Sequence, residues 1–77
     1  MKPIADGRYA LYTTDDGETS KTGELQVIDG TIHYADKQSQ HMMSDMFPPG
    51  RIDDELNERF EKMLDHHHGY MHLEHVK

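Results

Sequence analysis

The segment Leu25-Gln26-Val27-Ile28-Asp29-Gly30-Thr31-Ile32-His33-Tyr34 decides the fold. Asp-Gly is a dipeptide of two-residue type I′ turns, whose central residues both need positive φ: Gly adopts it freely and Asp tolerates it. Such a turn at Asp29-Gly30 sets Ile28 opposite Thr31, Val27 opposite Ile32, Gln26 opposite His33 and Leu25 opposite Tyr34. Leu25, Val27, Ile32 and Tyr34 then fall on one face of a hairpin, a match between strands that propensity alone does not produce.

Upstream, Asp6-Gly7 and Asp16-Gly17 repeat the dipeptide, and the runs between are rich in the Tyr and Thr of strands. A strand over about Gly7 to Thr14 places Tyr9, Leu11 and Thr13 on one face and Arg8, Ala10 and Tyr12 on the other. A two-residue turn at Asp16-Gly17 would set Leu11 against Thr22 and Tyr9 against Glu24, which wastes the apolar side chains. A long loop over Thr14 to Thr22, or a bulge at Gly23, is therefore expected, restoring Leu11 opposite Leu25 and Tyr9 opposite Val27. Residues 7–35 thus read as a three-stranded β-meander.

Downstream the period changes. Ile52, Leu56, Phe60, Met63, Leu64 and His67 fall at spacings of 4, 4, 3, 1 and 3, one stripe of an α-helix. Asp53, Asp54 and Glu55 crowd its first turn and Lys62 lies toward its end, as the helix dipole favours. Glu55 with Arg59 and Glu58 with Lys62 add i, i+4 pairs, and Gly69 suits a C-terminal cap. An amphipathic helix is expected over about Ile52 to His67, within a region 52–68. Residues 70–76 alternate, reading as a short strand or a tail; a strand reached through a right-handed crossover would lie parallel to its neighbour. The expected fold class is α+β: a small antiparallel β-meander of three strands, with a fourth C-terminal strand in the strand reading, packed against one amphipathic α-helix in the order ββ(β)αβ.

Composition bounds this reading. Seventy-seven residues leave room for one domain, residues 1–77. Leu, Ile, Val and Phe number only 13, and the net charge is -7, values typical of disordered chains, so patterning must supply the case for folding. With no cysteine, disulfides and thiolate chemistry are excluded. No apolar run approaches the ~18 residues of a membrane span and the first residues lack a secretory pattern, so a soluble, cytoplasmic protein is expected, with no membrane partner.

Residues 36–51 are longer than an ordinary connection of about 4 to 6 residues. Within them Met42, Met43, Met46 and Phe47 fall at helical spacing behind an N-cap candidate at Ser39, and Pro48-Pro49-Gly50 stops the helix. Methionine is flexible and polarisable, so this stripe suits an adaptable partner-binding surface; the competing reading is a lid over a small core.

Seven histidines are present, five of them, at 66, 67, 68, 72 and 75, within ten positions. Imidazole binds zinc, nickel and copper, which makes His68, His72 and His75 the candidate ligands of a His-rich metal site. No C-x-x-C, H-E-x-x-H or H-x-x-E-H pattern accompanies them, and an exposed helix end rich in histidine explains the cluster equally. Protonating all seven would bring the formal charge from -7 to 0, so a pH-sensitive association surface is a further reading.

Catalysis is not expected. The chain has no phosphate-binding glycine loop and no G-x-S-x-G elbow, and Asp65 and His66, adjacent on a helix, point some 100° apart. Direct nucleic-acid binding is opposed by 15 acidic against 8 basic residues. The function expected is that of a small acidic non-catalytic accessory protein that needs no cofactor. It binds a partner protein, as an adaptor or inhibitor does, through the Met42 to Phe47 segment or an open sheet edge. The alternatives are a His-rich metal-binding protein using zinc or nickel and a homodimer with a pH-sensitive surface.

Overall fold

In a computed structural model, residues 3–65 and 70–76 are described. They form five strands and two helices: β1 Gly7–Asp15, β2 Glu18–Ile28, β3 Thr31–His33, α1 Lys37–Met43, β4 Gly50–Arg51, α2 Asp54–Asp65 and β5 Met71–Val76. The strands make one sheet in the order β4-β3-β2-β1-β5, and every neighbouring pair is antiparallel.

The Asp29-Gly30 hairpin has the register its sequence predicts, with Gln26 opposite His33, Val27 opposite Ile32 and Ile28 opposite Thr31. Both turn residues lie at positive φ, 51° and 70°. Tyr34 is beyond the end of β3; its hydroxyl donates instead to the Phe47 carbonyl.

Of the two expectations for the first hairpin, the long loop is corrected and a bulge is found, at Thr22 rather than Gly23. Asp16 and Gly17 close a two-residue turn, at φ 51° and 81°, between the paired Asp15 and Glu18. The mismatch such a turn creates is removed by one inserted residue. The register shifts after Leu11, leaving Thr22 outside the strand register, so that Leu11 meets Gly23 and Tyr9 meets Leu25. A single bulge therefore returns Tyr9, Leu11, Leu25 and Val27 to one face. The pairs differ from the expected Leu11 with Leu25 and Tyr9 with Val27, because the bulge moves the register by one residue only.

Residues 36–51 hold a short helix, α1, where the methionine spacing predicts one, and a two-residue strand, β4, that no pattern announces. Asp36, not Ser39, caps α1: its carboxylate accepts the Ser39 backbone N–H at 2.7 Å and the Ser39 hydroxyl at 2.9 Å. These bonds hold the Asp36 carboxyl below its ordinary pKa, the backbone bond most strongly. Ser39 Oγ also accepts the N–H of Glu24 at 3.1 Å, satisfying β2 where β3 has ended. Close approach of α1 requires a bare backbone at Gly23, where a Cβ would lie 2.8 Å from Met43 Sδ.

α2 begins at Asp54, two residues later than the apolar stripe indicates, because Asp53 stays outside as its cap and accepts the Leu56 N–H at 2.8 Å. Its expected continuation to His67, and the Gly69 cap, lie outside the described residues. β5 pairs antiparallel with β1, Leu11 opposite Leu73, which corrects the parallel placement: the chain from α2 returns to the far edge beside β1 rather than crossing to a parallel neighbour.

Both helices cover the same face. Tyr9, Leu11, Leu25, Val27, Ile32 and Leu73 of the sheet join Met43, Phe47, Leu56, Phe60 and Met63 in one buried cluster. Phe60 sits at its centre, edge-on to Tyr9 at 5.3 Å and to Phe47 at 4.8 Å. Burial raises the pKa of both inward tyrosines: Tyr34 is pushed up to about 12, and Tyr9 is raised by burial and then by the nearby Asp6 charge.

Candidate functional site on the bare face of the sheet

Side chains alternate along a strand, so placing Tyr9, Leu11, Leu25 and Val27 under the helices turns their neighbours outward. On β1 these are Arg8, Ala10 and Tyr12, and on β2 Glu24, Gln26 and Ile28. Cross-strand pairing extends the face to Thr31 and His33 of β3, Arg51 of β4, and His72, Glu74 and Val76 of β5. Among the described residues no helix packs on this side, and Ile28, at the end of β2 beside the Asp29-Gly30 turn, is 44% exposed on it.

The centre of the face is organised by charge. Glu24 meets the Arg8 guanidinium at 3.5 Å and the Lys21 ammonium at 2.6 Å, and its hydrogen bond raises the Lys21 pKa. Between Glu24 and Glu74 lies Ala10, only 1% exposed although no helix covers it; the long side chains around it form the roof. Toward β5, the Tyr12 ring stacks on His72 at 5.4 Å, and His72 Nε2 lies 2.9 Å from Glu74 Oε2. The face carries three basic residues, Arg8, Lys21 and Arg51, against two acidic ones, Glu24 and Glu74, in a chain whose overall balance is 8 against 15. Acidic charge is thus displaced to the helix side and the turns, and the sheet face is locally cationic. Beside it, a groove of about 370 Å³ runs between β2 and the start of α1, lined by Arg8, Lys21, Gln26 and Asp36.

The methionine stripe does not form a surface. Met43 and Phe47 are 1% and 0% exposed and belong to the core, which corrects their assignment as partner contacts. Met46 is partly buried against the same cluster, and its carbonyl accepts from Arg59. Met42 alone projects outward, 55% exposed. The stripe is therefore mainly the closure of a small core.

The proposed histidine ligands are not brought together. His72 stacks on Tyr12 on the bare face, whereas His75 stacks on the core residue Tyr9 at 4.5 Å on the helix side. Odd and even positions of one strand point apart, so these two rings do not converge on one ion. His68 lies outside the described residues, and among those described no group of three metal-binding side chains occurs. None of the described helices is long and apolar enough to cross a membrane.

Sequence reasoning does not single out Arg8, Tyr12, Ile28, His33 and Arg51 as candidate site residues. The signal was present for four of them: each alternates with a core position in its strand. Arg51 had none, because β4 is two residues long. Comparison with known proteins returns no matching family model, no matching curated protein and no matching solved structure.

Proposed function

We propose that this chain is a small, acidic, non-catalytic accessory protein of the cytoplasm that works without a cofactor by binding a partner protein, through the bare face of its sheet. The observation that carries this reading is the one-sided coverage of the sheet. Among the described residues the helices pack on one face of the five strands, and the other presents Ile28, 44% exposed, near Gln26, His33, Arg8 and Arg51. An exposed apolar side chain set beside arginines is a common element of a protein interface.

Capture from native cell extract, with a tag free of histidine and with chelator present, tests it. A stoichiometric partner that is lost with Ile28→Glu or Arg51→Glu and kept with Glu58→Lys on α2 supports the proposal. Loss with the α2 variant alone, or a partner indifferent to all three, overturns it. Circular dichroism of each variant confirms that the fold is unchanged.

A further inference from the structure

The two edges of the sheet are built differently. β4 is two residues long and is preceded by Pro48-Pro49, which lack N–H groups, a common protection of an exposed edge. β5 is six residues long, Met71–Val76, without proline. Among the described residues it pairs only with β1.

Its pairing defines which backbone groups face outward. Thr14 N–H donates to the Tyr70 carbonyl at 2.7 Å, so in an antiparallel ladder Tyr70, His72, Glu74 and Val76 direct their N–H and C=O groups at β1. Met71, Leu73 and His75 direct theirs away from it, a row of three donors and three acceptors along the edge.

That row is complementary to its own antiparallel image. Two copies of β5 related by a two-fold axis at Leu73 set Leu73 opposite Leu73 and Met71 opposite His75, with all outward groups in hydrogen-bonding positions. On the bare face the same register sets His72 opposite Glu74 and Tyr70 opposite Val76, twice each by symmetry. Imidazole faces carboxylate, and Tyr70, 61% exposed, gains an apolar neighbour. On the helix face, Ile4, Leu64 and Met71 are partly buried apolar groups, and Ile4 and Leu64 border His75, close to the same seam.

We propose that this chain forms a two-fold symmetric dimer by antiparallel pairing of β5 with its own copy, centred on Leu73, so that His72 of each chain faces Glu74 of the other. The five-stranded sheets join into one of ten strands, and the bare faces of both copies become continuous. The inference stands apart from the hetero-partner reading: the first concerns the edge, the second the face.

Sedimentation equilibrium over about 1 to 500 µM, the span suited to a small interface, measures the mass against the 9.0 kDa of one chain. The parent is expected to reach twice that mass. His72→Glu leaves carboxylates opposite each other and Glu74→His leaves imidazoles opposite each other. With two symmetric pairs affected, each variant alone is expected to dimerise about 2- to 30-fold more weakly. Mixed one to one they restore opposite partners at both positions, so the mixture regains the dimer. Should either single variant fail to fold, the double variant His72→Glu/Glu74→His exchanges the partners within one chain and dimerises as the parent does. A parent that stays at 9.0 kDa throughout, or a dimer that neither substitution weakens, overturns the proposal, as does a mixture or double variant no stronger than the single variants.

Discussion

Phe47→Ala tests whether the methionine-rich segment is core or contact surface. Phe47 is 0% exposed, its ring meets Phe60 at 4.8 Å, and its N–H donates to the Met43 carbonyl at 2.8 Å. Truncating a buried phenylalanine costs about 3 to 5 kcal/mol, from lost transfer energy and the cavity left behind. A chain of this length has roughly 4 to 12 kcal/mol in all, at 0.05 to 0.15 kcal/mol per residue. The variant should therefore lose about a quarter of its stability or more, which corresponds to a fall in Tm of roughly 12 to 40 °C in a domain this small. Met42→Ser, by contrast, alters a side chain that is 55% exposed, and should stay within about 0.5 kcal/mol of the parent. Urea unfolding followed by circular dichroism measures both. If Phe47→Ala unfolds at the parent's midpoint with an unchanged slope, the core placement of the segment is wrong.

Two further outcomes follow from the packing. Gly23→Ala would bring a methyl group to 2.8 Å from Met43 Sδ and 3.3 Å from Ser39 Cα; because the second is backbone, α1 must move, and a loss of about 1 to 3 kcal/mol is expected in the same urea assay. Alkaline titration should show two late rings: Tyr34, raised to about 12 by burial, and Tyr9, also raised, ionise above the ordinary tyrosine value of about 10. A phenol with a raised folded-state pKa contributes stability that is complete below its unfolded value of about 10 and is lost as pH climbs toward 12. Tyrosinate absorbance should therefore lag for these two rings and then rise together with loss of the fold; ionisation of Tyr9 and Tyr34 near pH 10 in a folded chain refutes it.

The parts legible in the sequence are those whose information is local. Asp29-Gly30 specifies its own hairpin because turn geometry and the pairing of Val27 with Ile32 lie within a few residues of each other. The stripe from Leu56 to Met63 specifies α2 because a helix closes its hydrogen bonds within one turn. The helix starts were less legible for a related reason: Ser39 and Asp53 each lie near other capping candidates, and only the observed bonds from the Ser39 N–H to Asp36 and from the Leu56 N–H to Asp53 distinguish cap from first turn. The methionine stripe was visible as a periodic pattern, but its spacing is the same whether it meets a partner or the protein's own core.

By itself, then, the sequence determined a hairpin, an amphipathic helix, an alternating C-terminal segment and an acidic balance, since periodicity and turn chemistry are carried by neighbouring residues. Only the tertiary structure decided that one extra residue at Thr22 restores the apolar face, that β5 returns beside β1, that Met43 and Phe47 point inward, and that Arg8, Lys21 and Arg51 share the bare face of one sheet. Each of these depends on groups far apart in the chain meeting at close range, where burial and backbone pairing select one register and one packing over the others.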